Sequence, residues 1–260
     1  MASEAHELPD ARVVVSVVSH RHGDAVLRLL EDLAQHARAS VASVVLTLNV
    51  PEPDLEEAAL AWARATGVAL HVRRNAQRRG FGANHNAAFA LCGNAPYFAV
   101  VNPDVRFDRD PFPALCAALV AAPGAACAYP QQVDPQGRAC YPPRVVPTPL
   151  NLLRRYLGLA EPAGGPHWVN AAFLVFDARA YAALGGFDPA YWLYCEDVDL
   201  CLRLQNAGLR LVRGDARVHH LGRRASHVGL LHLYWHVRSL WRLWHSPALR
   251  AFERAQRQRD

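Results

Sequence analysis

The chain contains no lysine: all 28 of its basic residues are arginine. It has one methionine, no CxxC pair among its six cysteines, and no apolar run approaching the ~18 residues that mark a membrane-spanning helix. Each absence excludes something. Without lysine there is no Walker A phosphate loop. Without paired spacing, Cys92, Cys116, Cys127, Cys140, Cys195 and Cys201 are expected as reduced core thiols, not zinc ligands or a disulfide framework. The opening residues, MASEAHELPDAR, lack the basic and apolar regions of a secretory signal, so a cytoplasmic location is expected. Alanine is abundant as well, so coding bias explains the missing lysine more simply than a functional demand does.

What is present is enough for a full core. The 260 residues are 52% hydrophobic and 20% charged, which excludes disorder and fits one large domain or two small ones. The net charge of +5 is uneven. From Arg203 onward there are twelve arginines against only Asp215, Glu253 and Asp260, while the earlier part is slightly acidic.

The pattern alternates between strands and helices. Arg12 to Ser19, Val41 to Leu48, Val68 to Val72 and Tyr97 to Val101 are short β-branched or apolar runs that predict buried parallel strands. Asp24 to Ala37, Pro53 to Thr66 and Ala83 to Cys92 have helical spacing between them. Eleven prolines between Pro111 and Pro166 predict a looser middle with one helix, Ala114 to Ala122. A strand over Val169 to Phe176, helices over Ala178 to Leu184 and Glu196 to Ala207, a last strand over Leu209 to Arg213 and one helical stretch from Ser226 to about Arg259 complete the reading. Alternating elements of this kind predict an α/β, doubly wound, mostly parallel sheet.

Four segments carry chemistry. Asn102-Pro103-Asp104 follows a central strand, at the edge where ligands of open α/β sheets bind; Asp104 suits either a hard-cation site or a turn closed on its own backbone. Glu196, Asp197 and Asp199 open a helix, whose N-terminus favours negative charge. Asp199 and Arg203 are spaced as an i,i+4 pair, Glu196 suits a cap, and Asp197, about 100° round from Glu196, is free to act as a general base among Tyr191, Trp192 and Tyr194. His219 and His220 follow the last predicted strand, and a neutral imidazole there can complete a divalent-metal site. Asn75 to Asn86 holds Arg78, Arg79, Gly80, Phe81 and Gly82 ahead of a helix, placing backbone amides and arginine near any phosphate.

In order, the pieces N-x(4)-GFGxNxN, VVNPDV, GGFDPAYWLYCEDVDLCLRLQNAG and VHHLG resemble the family 2 GT-A inverting glycosyltransferases, in particular their rhamnosyltransferase-like branch. The resemblance implies a GT-A domain over residues 12–225, a short N-terminal tail over 1–11 and a basic amphipathic helical extension over 226–260. It implies a nucleotide-diphosphate sugar donor, with dTDP-rhamnose the suggested one. Donor contacts would come from Ser19, His20, Asn75, Arg78, Gly80, Phe81, Asn86, Asn102 and Asp104. Asp104 with His220 would hold Mg2+ or Mn2+, Asp197 would be the catalytic base, and Asn170, Trp192 and Glu196 would line the acceptor or sugar pocket. The acceptor would be a glycan, a lipid-linked glycan or a small molecule, in a route such as cell-envelope polysaccharide assembly. The Q-x-x-R-W motif of processive synthases is absent, so transfer of a single sugar is expected.

Two positions depart from that pattern. Leu48-Asn49 stands where an Asp-Asn pair commonly contacts the base, and Asn170 stands where glycine is frequent. Two other readings remain at this point: a same-fold sugar-phosphate nucleotidyltransferase, for which Ser19 to Asp24 supplies no Gly-rich basic loop, and a non-enzymatic binder prompted by the arginines. A nucleic-acid partner is not expected. The C-terminal mix of Trp, Leu, His and Arg suits either packing on the domain or peripheral contact with the inner face of a membrane.

Overall fold

The computed structural model describes residues 12–160, 167–220, 222 and 229–258. The predicted tail and the predicted boundary at 225/226 lie outside these. In chain order the elements are β1 (Val13–Ser19), α1 (Gly23–His36), β2 (Val41–Leu48), α2 (Pro53–Thr66), β3 (Leu70–Arg74), α3 (Phe81–Phe89), β4 (Tyr97–Val101), β5 (Val105–Arg106), α4 (Phe112–Ala121), β6 (Ala125–Val133), α5 (Pro149–Tyr156), β7 (Phe173–Asp177), α6 (Ala178–Ala183), α7 (Glu196–Asn206), β8 (Arg210–His220), α8 (Gly229–Trp244) and α9 (Pro247–Arg257).

Eight strands form one sheet in the order β3-β2-β1-β4-β7-β6-β8-β5. The first four are parallel, and a helix precedes each of β2, β3 and β4, as the alternating pattern predicts. The second half is mixed. β7 runs antiparallel to both β4 and β6, and β5 antiparallel to β8, while β6 and β8 are parallel, so the sheet is mixed and mostly parallel, as expected. An apolar run such as Phe173–Asp177 encodes burial on both faces and carries no mark of direction.

Two layers of side chains close the sheet. Val26, Leu29, Leu30 and Leu33 of α1, spaced to share one helical face, are fully buried against the valines of β1 and β2 on one side. On the other, α3, α6 and α7 cover Phe98, Cys127, Leu174 and Phe176. All six cysteines are free thiols, and burial raises the thiol pKa of each. A third cluster joins Tyr191, Val198 and Leu202 to Leu240, Leu243, Leu249 and Phe252 of the C-terminal helices.

The C-terminal stretch predicted as one helix is two. It breaks after Trp244, where the Ser246 hydroxyl accepts the Leu249 N–H at 3.0 Å and Pro247 opens α9. The middle region holds α5 in addition to α4, started by the Thr148 hydroxyl and Pro149. The last strand is longer than predicted and includes both histidines.

Candidate active site

The strand order reverses between β1 and β4, which opens a crevice beyond their C-terminal ends. Ser19 and His20 leave β1 there, and Asn102 to Asp104 leave β4. Val105 of β5 pairs with His220 at the end of β8, so the neighbouring Asp104 carboxylate lies 3.5 Å from the His220 Nε2. Because strand side chains alternate, His219 points to the opposite face from His220.

A chain of amides fixes the His220 ring. The Ala172 N–H donates to Asn170 Oδ1 at 3.3 Å, and a backbone N–H can only donate, so the Asn170 oxygen is identified. Gln132 Nε2 donates to that same oxygen at 2.6 Å. The Gln132 Oε1 therefore faces the His220 Nδ1, 2.8 Å away, and Nδ1 must carry the proton. In a neutral ring this puts the Nε2 lone pair on the Asp104 side, the tautomer a metal ligand requires.

The same short stretch reaches the other candidates. The Ala172 carbonyl accepts the Asn102 N–H at 2.8 Å, and the Ala171 N–H donates to Asp197. Asn170 to Ala172 thus tie the Asp104–His220 pair to the first turn of α7. Asp197 is half-buried, and Glu196 beside it is buried with its Oε2 unpartnered among protein atoms. Burial pushes both carboxyls up, Glu196 further because the Asp197 charge adds to it. Backbone N–H groups of Val198 and Ala171 and the charge of Arg144 oppose the rise at Asp197. Ionising both at once is thus opposed by burial and by their mutual repulsion, and the groups around Asp197 favour the charge on that side. Two consecutive left-handed residues, Tyr194 (φ 71°) and Cys195 (φ 62°), deliver the chain into α7; conformations of this kind cost about 1–3 kcal/mol each and concentrate at functional sites. Asp199 is engaged by Arg203 at 2.7 Å, as its spacing predicts.

Several predicted donor contacts are braces of the crevice wall. The Asn86 amide is consumed by the Tyr181 hydroxyl and the backbone of Phe187, and it sits where a Gly186 side chain would be. Asn75 donates to Asn49 Oδ1 at 2.8 Å and to Asn84 Oδ1 at 2.7 Å, and Asn49 also accepts the Arg79 N–H, so three amides hold the 75–80 loop. Phe81 packs edge-on to His85 and Phe187. The buried Ser19 hydroxyl donates to Glu52 Oε1 at 2.7 Å. Gly80 lets the loop touch the 191–192 backbone: a Cβ there would stand 2.7 Å from the Trp192 carbonyl oxygen. Arg78 acts on His20, whose pKa is lowered by burial first and then by this neighbouring charge. Trp192, partly exposed, stacks on Trp235 of α8.

Sequence reasoning missed Gln132, Arg144 and Glu52. A glutamine inside a strand carries no motif, and neither does a lone arginine between prolines. Glu52 had a signal. With Asn49 spent as a brace, Glu52 is the carboxylate that stands beside the β1 loop, accepting from both Ser19 and the Arg21 N–H at 2.9 Å.

No cluster of three His, Cys, Asp or Glu able to hold a metal is present among the described residues. Asp104 and a tautomer-fixed His220 nonetheless suit a divalent cation whose other positions are filled by diphosphate oxygens and water, since Mg2+ sites commonly use one or two protein carboxylates plus phosphate. A cleft of about 910 Å3 opens elsewhere, between α7, α8 and α9; it is lined by Asp199 and Arg203, on the far side of α7 from Asp197.

No family model matches the chain. It is 46% identical over 44 residues, 17% of either chain, to the rhamnosyltransferase WbbL of Escherichia coli strain K12. It is 31% identical over 160 residues to an N-acetylglucosaminyl-diphospho-decaprenol L-rhamnosyltransferase of Mycobacterium tuberculosis, a match covering 54% of this chain and 52% of that protein. The chain thus spans at most about half the length of these relatives. Among solved structures, the mannosyltransferase PcManGT of Pyrobaculum calidifontis, in complex with GDP-Man and Mn2+, superposes with a TM-score of 0.61 at 17% identity, over 83% of this chain and 59% of that one. The likeness is one of fold.

Proposed function

We propose that this chain, which has the fold of the GT-A glycosyltransferases and relatives named as rhamnosyltransferases, is an inverting glycosyltransferase that moves one rhamnosyl unit from a nucleotide-diphosphate donor to a lipid-linked acceptor. The observation that carries the reading is the 170–172 stretch, which connects a carboxylate–imidazole pair at the end of β4 to the Asp197 carboxyl at the start of α7.

In this reading Asp197 takes the proton of an acceptor hydroxyl. The oxygen forms its bond to the anomeric carbon as the bond to the diphosphate breaks on the opposite face, inverting the configuration. Glu196, holding its proton, keeps a second negative charge away from the base. Asp104 and His220 are the residues that would hold a divalent cation, which when bound neutralises charge on the diphosphate. The β1 loop with Glu52 takes the nucleoside end. The acceptor class is suggested by the mycobacterial relative's name, and dTDP-rhamnose is the donor to test first.

The test is a transfer assay with dTDP-rhamnose, Mn2+ or Mg2+, and an N-acetylglucosaminyl-diphospho-lipid analogue. Product formation by the wild-type chain and its loss in Asp197→Asn are expected. Full activity of Asp197→Asn would overturn the base assignment, and transfer from other donors alone would overturn the rhamnosyl assignment.

A further inference from the structure

Helix α8 has two apolar faces, and the domain covers one of them. On the inner face the Tyr194 hydroxyl lies 2.9 Å from His232 Nδ1, Trp235 stacks on Trp192, the Ser239 hydroxyl donates to the Leu193 carbonyl at 2.8 Å, and Leu240 and Leu243 are buried. The outer face carries Leu230, Leu233, Tyr234, Val237 and Trp241, all more than half exposed and placed by the helical repeat on one side. A helix lying on a water-facing domain ordinarily shows polar residues on that side.

Helix α5 repeats the pattern. Leu150, Leu153 and Leu157 form an exposed stripe at helical spacing, with Tyr156 beside it at 88% exposure. The two segments adjoin: the Trp244 indole N–H donates to the Pro147 carbonyl at 2.8 Å, and Leu152 packs on the cluster that contains Leu240 and Leu243. Among the described residues, eleven of the sixteen exposed large apolar side chains belong to α8, to α5 or to the residues just after α5. No acidic residue occurs in 135–160 or in 229–252, whereas Arg154, Arg155, Arg238 and Arg242 do. The Arg238 guanidinium lies over the Trp235 ring at 5.4 Å, and Arg242 pairs with Asp188. No described helix is long and apolar enough to cross a membrane.

We propose that α5 and α8 form one surface that lies in the interface of an anionic lipid bilayer. Leucine, tryptophan and tyrosine enter the boundary between headgroups and acyl chains, and Arg154 and Arg238 meet lipid phosphates. The surface adjoins residues 192–195, which lead into α7, so the bound chain holds its crevice next to the bilayer. Binding itself requires no sugar transfer.

The experiment is flotation of the full chain with vesicles of phosphatidylglycerol and phosphatidylcholine, against phosphatidylcholine alone, in the absence of any nucleotide sugar. Binding is expected to the anionic vesicles, to be weaker by about tenfold on neutral ones, and to fall with salt. Leu153→Asp with Tyr156→Ser in α5, and Leu233→Asp with Trp241→Ser in α8, should each weaken it by about tenfold while leaving the thermal midpoint unchanged, because these side chains are exposed. No flotation with anionic vesicles overturns the proposal, as does an α5 variant that floats like the wild type. A dimer seen by light scattering that dissociates in the same variants, without vesicle binding, assigns the face to a second copy and also overturns it.

Discussion

The side-chain oxygen of Gln132 lies 2.8 Å from the Nδ1 of His220, and this contact sets which ring nitrogen faces Asp104. The order of fixing runs outward from the backbone. The Ala172 N–H orients Asn170, Asn170 orients Gln132, and Gln132 orients the imidazole. The departure at Asn170 from a frequent glycine thereby acquires a reason: glycine has no side-chain amide with which to hold Gln132.

Removing the Gln132 oxygen should therefore loosen the proposed cation site without unfolding the sheet. Partners of this kind are worth about 10- to 100-fold in metal affinity. Gln132→Leu is expected to weaken Mn2+ binding, measured by electron paramagnetic resonance in the presence of a nucleoside diphosphate, by at least about tenfold. Gln132→Glu keeps an acceptor for Nδ1–H but loses the donor to Asn170 Oδ1, so it should recover only part of the loss. Equal affinity in wild type and Gln132→Leu would show that the amide chain does not serve the metal.

The carboxyl pair predicts a pH profile. Asp197 acts when ionised, and burial raises its pKa, so the acid limb of kcat should lie above the ordinary carboxylate range. Asp197→Asn should lower kcat by about 10²- to 10⁴-fold with little change in donor affinity. Glu196→Gln replaces a protonated acid by a neutral isostere. It should retain much of the activity and leave the acid limb in place, because one neutral group replaces another and burial, which raises the Asp197 pKa, is unchanged. The stability sign follows from the same shift: a carboxyl with a raised folded pKa favours the folded state at low pH and loses that contribution as pH rises through the folded pKa. Glu196→Gln should accordingly raise the melting midpoint at pH 8 by about 2–4 °C for each kcal/mol regained, and not at pH 4. An acid limb that moves down in Glu196→Gln would show instead that Glu196 is charged beside Asp197 and raises its pKa.

The Val-rich strands and the α1 face were legible because burial on a sheet or helix leaves a period in the sequence. The direction of β7 was not, since an apolar strand reads the same either way. His219 and His220 looked like a loop because two polar residues seemed to end the strand, yet pairing with β5 carries β8 through them. The break at Ser246-Pro247 was readable, a capping serine before a proline, but helical periodicity on both sides masked it. Asp104, His220 and Asp197 were visible as residue types in place. What Asn75, Asn86 and Gln132 do depends on partners 9 to 101 residues away, which no local pattern specifies.

Gly80 should tolerate no side chain, for steric reasons alone. Its φ of −64° suits any residue, but a Cβ would stand 2.9 Å from the Trp192 Cα and 2.9 Å from the Tyr191 carbonyl oxygen. Those atoms are backbone and cannot rotate away. Gly80→Ala should cost about 1–3 kcal/mol in urea denaturation, as overpacking does. It should also lower kcat, because the displaced 191–192 segment leads into the Asp197 turn. A stability equal to the wild type would mean that the two loops part freely.

Glu52 should decide nucleoside affinity. Leu48-Asn49 stands where the glycosyltransferases that the sequence resembles commonly carry an Asp-Asn pair, and Asn49 has both ends of its amide engaged with the 75–80 loop. Glu52 holds the β1 loop through one oxygen, accepting from Ser19 and from the Arg21 N–H, where Arg21 is itself left-handed at φ 63°. Glu52→Gln keeps an acceptor oxygen but loses the charge; Glu52→Ala loses both and frees the loop. If the charge recognises the nucleoside, both variants should raise the donor KM by about tenfold, the worth of one charged hydrogen bond at about 1.5 kcal/mol, with kcat unchanged. If the carboxylate only braces the loop, Glu52→Gln should behave as the wild type and Glu52→Ala should lose stability together with donor affinity. Steady-state kinetics over a donor series, alongside melting midpoints for the two variants, tell these apart.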